Sequence, residues 1–227
     1  SLNTLRSVWG QYNPDTKQAF FKRNVSLKNP KFVLTSDTLL YNTATNIADL
    51  VSPTTIVYEQ ETNIYSSRGT YNTANEQSTL LDRSRVVHSD GKQMTGDSIF
   101  YDKRIGHGKI IGSMEMTDSV QQATLYGNYG EMFRDGEYGY VTDSALMVDW
   151  SDSTAYGYIH ADTLYTEAIA YRIQHLIERD SMLIDSVLTA VAPDTVWQDS
   201  TYRQIRAFHN VRVYREDMQA VCDSVRY

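Results

Sequence analysis

The chain has 227 residues, enough for one large all-β domain or two small ones, and its 28 acidic against 21 basic residues give a net charge of −7. That balance lacks the basic footprint a polyphosphate backbone requires, so no nucleic-acid partner is expected. Hydrophobic residues at 41% exclude a disordered chain, and a mean hydropathy of −0.46 with no apolar run of about 18 residues excludes a membrane-spanning helix.

The single Cys222 allows no internal disulfide and no zinc site. With 17 Tyr beside 4 Pro, the composition favours β structure. Residues 1–23 read as a lead-in segment, in which Trp9, Phe20 and Phe21 mark a first strand at its end. No signal peptide is legible at Ser1–Gly10, and the missing Met implies a processed or trimmed start.

At Asn24 a phrase begins that recurs to the last residue. Its first copy is Asn24-Val25-Ser26-Leu27, a turn at Asn29-Pro30, then a strand from Phe32 that ends in Asp37-Thr38-Leu39-Leu40-Tyr41. The ending, Asp-[Ser/Thr]-apolar-x-Tyr, returns as Asp97-Ser98-Ile99-Phe100-Tyr101 after the turn Ser89-Asp90-Gly91-Lys92. Asp-Gly there supplies the positive φ angles of a two-residue hairpin loop. A third version runs from Ser113-Met114-Glu115-Met116 to Gly127-Asn128-Tyr129, with Asn in place of Asp. Asp143-Ser144-Ala145-Leu146 is a weaker copy and Asp162-Thr163-Leu164-Tyr165 a shorter one. The segment 167–200 departs from the pattern. Ile169, Ile173, Leu176, Ile177, Leu183, Ile184, Val187, Leu188 and Val191 recur at near-helical spacing before Pro193 and predict a helix. The Asp-Ser and Asp-Thr pairs inside it argue for an extended excursion instead. The repeat resumes at Tyr202–Phe208 and closes as Asn210-Val211-Arg212-Val213 and Asp223-Ser224-Val225-Arg226-Tyr227.

Each unit therefore reads as two short strands joined by a turn. Period-2 alternation places Val25 and Leu27, Met114 and Met116, and Val211 and Val213 on one face of the first strands. In the second strands, counting back from the Asp, it selects Phe32 and Leu34, Tyr138 and Tyr140, and Met218 and Ala220, with Met94 and Ile159 alone at the Asp97 and Asp162 copies; Leu125 is a further alternating apolar position. These faces are expected to pile into one apolar interior.

Catalytic constellations are missing: there is no Gly-x-Ser-x-Gly elbow, no phosphate-cradling Gly-x4-Gly-Lys loop and no His-Glu-x-x-His. The five His stand apart, Gly106-His107-Gly108-Lys109 reads as a turn, and no Asp-[Ser/Thr] pair is followed by the Gly of aspartic proteases. The recurrent Asp is better explained as a turn or strand-end device, and the Tyr as a packing residue with its hydroxyl at the surface. No cofactor, no metal and no enzymatic activity are expected.

The unit Asn24–Tyr41 resembles the signature of the OstA-like family of periplasmic lipopolysaccharide-transport proteins, which includes the amino-terminal domain of the outer-membrane lipopolysaccharide assembly protein. The unit Asn210–Tyr227 matches again, and degenerate units carry the likeness through Tyr165. The resemblance implies an all-β jelly roll of stacked antiparallel hairpins bent into a V, here a single domain at 24–227 with an insertion at about 167–200. It also implies a non-enzymatic protein of the periplasm, or of the periplasmic face of the outer membrane. Such a protein shields lipid A acyl chains in an apolar trough and joins other transport proteins, or copies of itself head to tail, by edge-strand pairing. On that reading the lipid-facing candidates are Val25, Leu27, Phe32, Leu34, Met94, Met114, Met116, Leu125, Tyr138, Tyr140, Ile159, Val211, Val213 and Met218. The alternative is a β-repeat scaffold or surface adhesin without lipid, in which the same side chains only fill an interior.

Overall fold

The computed structural model describes residues 3–133, 138–177 and 194–227. Among them there are sixteen strands and no helix. The first four are β1 (Thr4–Arg6), β2 (Trp9–Asn13), β3 (Gln18–Lys28) and β4 (Phe32–Asn42). Four short strands follow: β5 (Ile47–Leu50), β6 (Thr54–Tyr58), β7 (Thr62–Ser66) and β8 (Arg68–Asn72). Then come β9 (Gln77–His88), β10 (Lys92–Asp102), β11 (His107–Asp118), β12 (Ala123–Phe133) and β13 (Tyr138–Asp149). The last are β14 (Gly157–Ile177), β15 (Asp194–Arg215) and β16 (Met218–Arg226). From β9 to β16 every strand pairs antiparallel with its sequence neighbours, as a tandem of hairpins requires.

Turn chemistry sets where the strands stop. Asn13, Asn42 and Asn72 each accept hydrogen bonds from the backbone N–H groups two and three residues on, and Asp118 does the same. These are Asx turns. Four residues after each, Lys17, Asn46, Glu76 and Gln122 take positive φ and re-aim the chain into the next strand.

A second recurrence bends the strands in their middles. Arg23-Asn24, Asp82-Arg83, Asp143-Ser144 and His209-Asn210 are left-handed pairs inside β3, β9, β13 and β15, and Gly112-Ser113 holds the same place in β11. Each is a bulge at which register is lost against the neighbouring strand. The facing position on that neighbour is Asp37, Asp97, Asn128, Asp162 or Asp223, all exposed. The repeated Asp is thus a bend residue. At Gly112 (φ 76°) the Asp97 carboxylate lies where a Cβ would stand, so only glycine fits there.

Bending at one row of bulges folds the strands into two facing sheets. The two halves of β4 even pair with different strands: Phe32–Ser36 with β6, Leu39–Asn42 with β5. β9 divides likewise between β8 and β7. Leu39, Leu50, Leu80, Ile99, Ile110, Val141 and Leu164 on one sheet meet Val25, Leu27, Leu34, Ile56, Val86, Met114 and Ile159 on the other, all buried. Beside the bend the sheets interlock through missing side chains. A Cβ on Gly130 would strike the Met114 thioether, and one on Gly96 the Ile110 side chain.

The helix expected over 167–200 is not formed in the described part. Glu167–Ile177 and Asp194–Gln204 instead pair as the outer rungs of a two-stranded ribbon that runs past the end of β13. Residues 178–193 lie outside the described residues. The near-helical spacing misled because Ile169, Tyr171 and Ile173 also satisfy a period of two, and the cross-strand partners Tyr202, Ser200 and Gln198 complete that face.

Candidate functional site

The candidate side chains divide into three groups. Val25, Leu27, Phe32, Leu34, Met114, Leu125, Ile159 and Val211 are buried, and they cement the two sheets together. Met94, Met116 and Val213 face the same interior but are only partly covered. Met218 has the inward phase on β16, opposite Arg215, yet is 51% exposed because nothing is stacked over it.

Tyr138 and Tyr140 correct the sequence reading. They lie on the outer face of β13, Tyr138 being 44% exposed, while Gly139 and Val141 point in. Asp143-Ser144 caused the error. It imitates the Asp-Ser phrase but occupies the left-handed bulge, the place of Arg23-Asn24 in the first unit, so counting back from it misses the phase by one residue. On the outer face Tyr140 joins Tyr129 and Tyr165 with ring centroids 6.1 and 5.7 Å away. Tyr129 donates to Glu131, and burial, with Tyr129 and Glu131 adding to it, pushes the Tyr140 hydroxyl up to about 12.

The rows farthest from the bend line the mouth between the sheets. Over the N-terminal strands the mouth is shut. Phe32 and Tyr71, from opposite sheets, meet edge to face at 5.1 Å. Tyr58 Oη donates to Glu76 Oε2 at 2.8 Å, Lys31 Nζ to Glu76 Oε1 at 2.7 Å, and Lys103 Nζ stands 4.3 Å from the Tyr58 ring centre. Burial alone would raise the Glu76 carboxyl, but the hydrogen bonds of Lys31 and Tyr58 and the charges of Lys31 and Lys103 outweigh it and hold the group below its ordinary range. Tyr58 and Tyr71 are both pushed up, first by burial and then by Glu76.

From β10 onward the inward residues are covered unevenly. Met94, Met116, Met132, Ala123 and Val213 are inward residues that keep part of their surface accessible, whereas Leu125, Met147 and Ile159, in the same register row as Met94 and Met116, are buried; Cys222 and Val225, also partly covered, flank the bend at Asp223 on β16. Sequence reasoning passed over Met132, Ala123, Cys222 and Val225. A signal for Met132 existed: it stands four residues after Asn128, as Tyr41 and Tyr101 stand four after Asp37 and Asp97, so that place in the phrase is a mouth position. The motif tyrosines also depart from expectation, since the Tyr41 hydroxyl is enclosed and bonded to Thr73 Oγ1 at 3.1 Å. Tyr227 Oη donates across the mouth to Asp149. Among the described residues no group of three or more His, Cys, Asp or Glu is placed to hold a metal ion.

The chain has likenesses among known proteins. Residues 1–37 match the family described as OstA-like protein, which meets the resemblance carried by the Asn24 unit. A similar solved structure is LptH of Pseudomonas aeruginosa, described as the LptA-homologous periplasmic component of the conserved lipopolysaccharide transport device. It has 15% identity to this chain, covers 51% of it and is itself covered over 94%, with a TM-score of 0.46. No curated protein matches the chain.

Proposed function

We propose that this is a periplasmic carrier of the lipopolysaccharide-transport type, which shelters lipid A acyl chains between its two sheets and passes them along a bridge between the membranes. The observation that carries this reading is the change along the mouth. Through β9 the inward row of Leu34, Ile56, Ile64 and Val86 is buried, and from β10 on Met94, Met116 and Met132 stay partly accessible. Methionine is unbranched and polarisable and adapts to irregular apolar guests. Covering acyl chains there yields about 25 cal/mol per Å² of apolar surface removed from water. The proposed work is carriage and not catalysis, a reading supported by the acidic side chains at bends, turns and mouth contacts.

The test is photo-crosslinking from benzoylphenylalanine placed at Met94, Met116 or Val213, with Leu34 as the sealed control. Lipopolysaccharide adducts are expected at the first three and not at Leu34. Absence of adducts at all three accessible positions would leave only the lipid-free scaffold reading.

A further inference from the structure

On the outermost inward row of β7, β8 and β9, three hydroxyls stand out. Thr62 Oγ1, Tyr71 Oη and Ser78 Oγ are enclosed and have no hydrogen-bond partner. Their residues are 2%, 3% and 5% exposed, so the protein shields them almost completely. An enclosed hydroxyl without a partner costs about 1–3 kcal/mol; Arg206 Nε and Arg215 Nε are also enclosed without a partner, but these three are the hydroxyls, and they lie on neighbouring strands.

Their positions form one site. Tyr71 and Ser78 are register partners on one sheet, and Thr62 is the register partner of Tyr58 on the other. Tyr58 in turn pairs with Phe32, whose ring touches Tyr71 across the mouth. Thr62, Tyr71 and Ser78 therefore stand on the outermost inward row of the two sheets, where the trough closes. Inward of them lie Ile64 and Val86, which are apolar and buried.

We propose that Thr62, Tyr71 and Ser78 form a polar subsite for the acyl-linkage oxygens of the bound lipid, the ester or amide carbonyls where its chains join the head group. This rests on the reading of the trough as a lipid site. Neutral O–H groups suit carbonyl acceptors. Of the neighbouring cations, Lys31 is bound to Glu76 and Lys103 stands over Tyr58, so an anionic head group is not what the hydroxyls await. The hydrocarbon runs on toward the methionine-lined gap while the linkage is held at the boundary, which fixes how deep the lipid sits.

The experiment uses the full chain and the combined variant Thr62→Val, Tyr71→Phe, Ser78→Ala, with purified lipid A in detergent as one probe. N-phenylnaphthylamine, an apolar fluorophore without carbonyls, is the other. The variant is expected to bind lipid A about tenfold or more weakly, the loss of one or two net hydrogen bonds, while binding N-phenylnaphthylamine as the wild type does. Its melting temperature should be equal or higher, since the unpaired groups are gone; Ser78→Ala alone, the mildest change, should move lipid A binding in the same direction. Equal lipid A affinity in wild type and variant would show that the hydroxyls serve an enclosed water only and would overturn the subsite alone. A wild-type chain that bound neither probe would overturn the carrier reading and the subsite with it.

Discussion

Glu76 holds the closed part of the mouth from a turn, receiving Lys31 from one hairpin and Tyr58 from another. Its folded carboxyl lies below the ordinary 4.5 that the unfolded chain would show. The unfolded state then binds the proton first, so the stabilisation is complete above that value and is lost as pH falls through the folded one. Thermal melts at pH values from about 7 down to about 3 should show the wild type losing stability below about 4.5. Glu76→Gln should start lower at neutral pH, by about 1 kcal/mol for the weakened bond from Tyr58 or roughly 2–4 °C, and decline less steeply in acid. Identical acid slopes in the two proteins would show that the contact contributes nothing to closure.

At the scale of the strand, the left-handed pair decides where a hairpin bends. Asn24, at φ 54°, tolerates the conformation as asparagine does, whereas a β-branched residue there is a steric outlier. Asn24→Val should therefore cost about 1–2 kcal/mol in denaturant unfolding, while Asn24→Gly should be about neutral. An equal loss for both would mean that the Asn side chain, and not its backbone, matters. The same bulge explains what could and could not be seen in the sequence. The 13-residue spacing between Asn24 and Asp37, repeated between Asn210 and Asp223, was legible because the two residues face each other at a bend. The Asp143-Ser144 pair was not, since Asp and Ser serve on either side of a bulge and a dipeptide does not say which. The strand-ending residues Asn13, Asn42, Asn72 and Asp102, each of which accepts a backbone N–H two residues on, form a clear series about 30 residues apart that the search for Asp-hydroxyl phrases overlooked. The openness of the mouth had no sequence signature at all. Leu34 and Met116 show the same alternation, yet one is buried and the other partly accessible.

Over the whole molecule, the hairpin stack leaves two sheet edges. Among the described residues β1 and β2 pair only with β3 at one end, and β16 pairs only with β15 at the other. Val221 is 82% exposed on β16, which has no further strand paired to its outer edge among the described residues. An edge of this kind accepts a further strand. Because the two ends are different surfaces, joining one to the other makes a heterologous contact that repeats without closing. Light scattering of the 227-residue chain should then give an average mass that climbs with concentration. Val221→Lys, which sets a charge on the receiving edge, should lower that climb without altering the melting temperature by more than about 2 °C, because a surface change away from the core moves stability by only about 0.5 kcal/mol. Constant monomer mass over a hundredfold range, taken as about 1 to 100 μM, would remove edge pairing as the means of assembly.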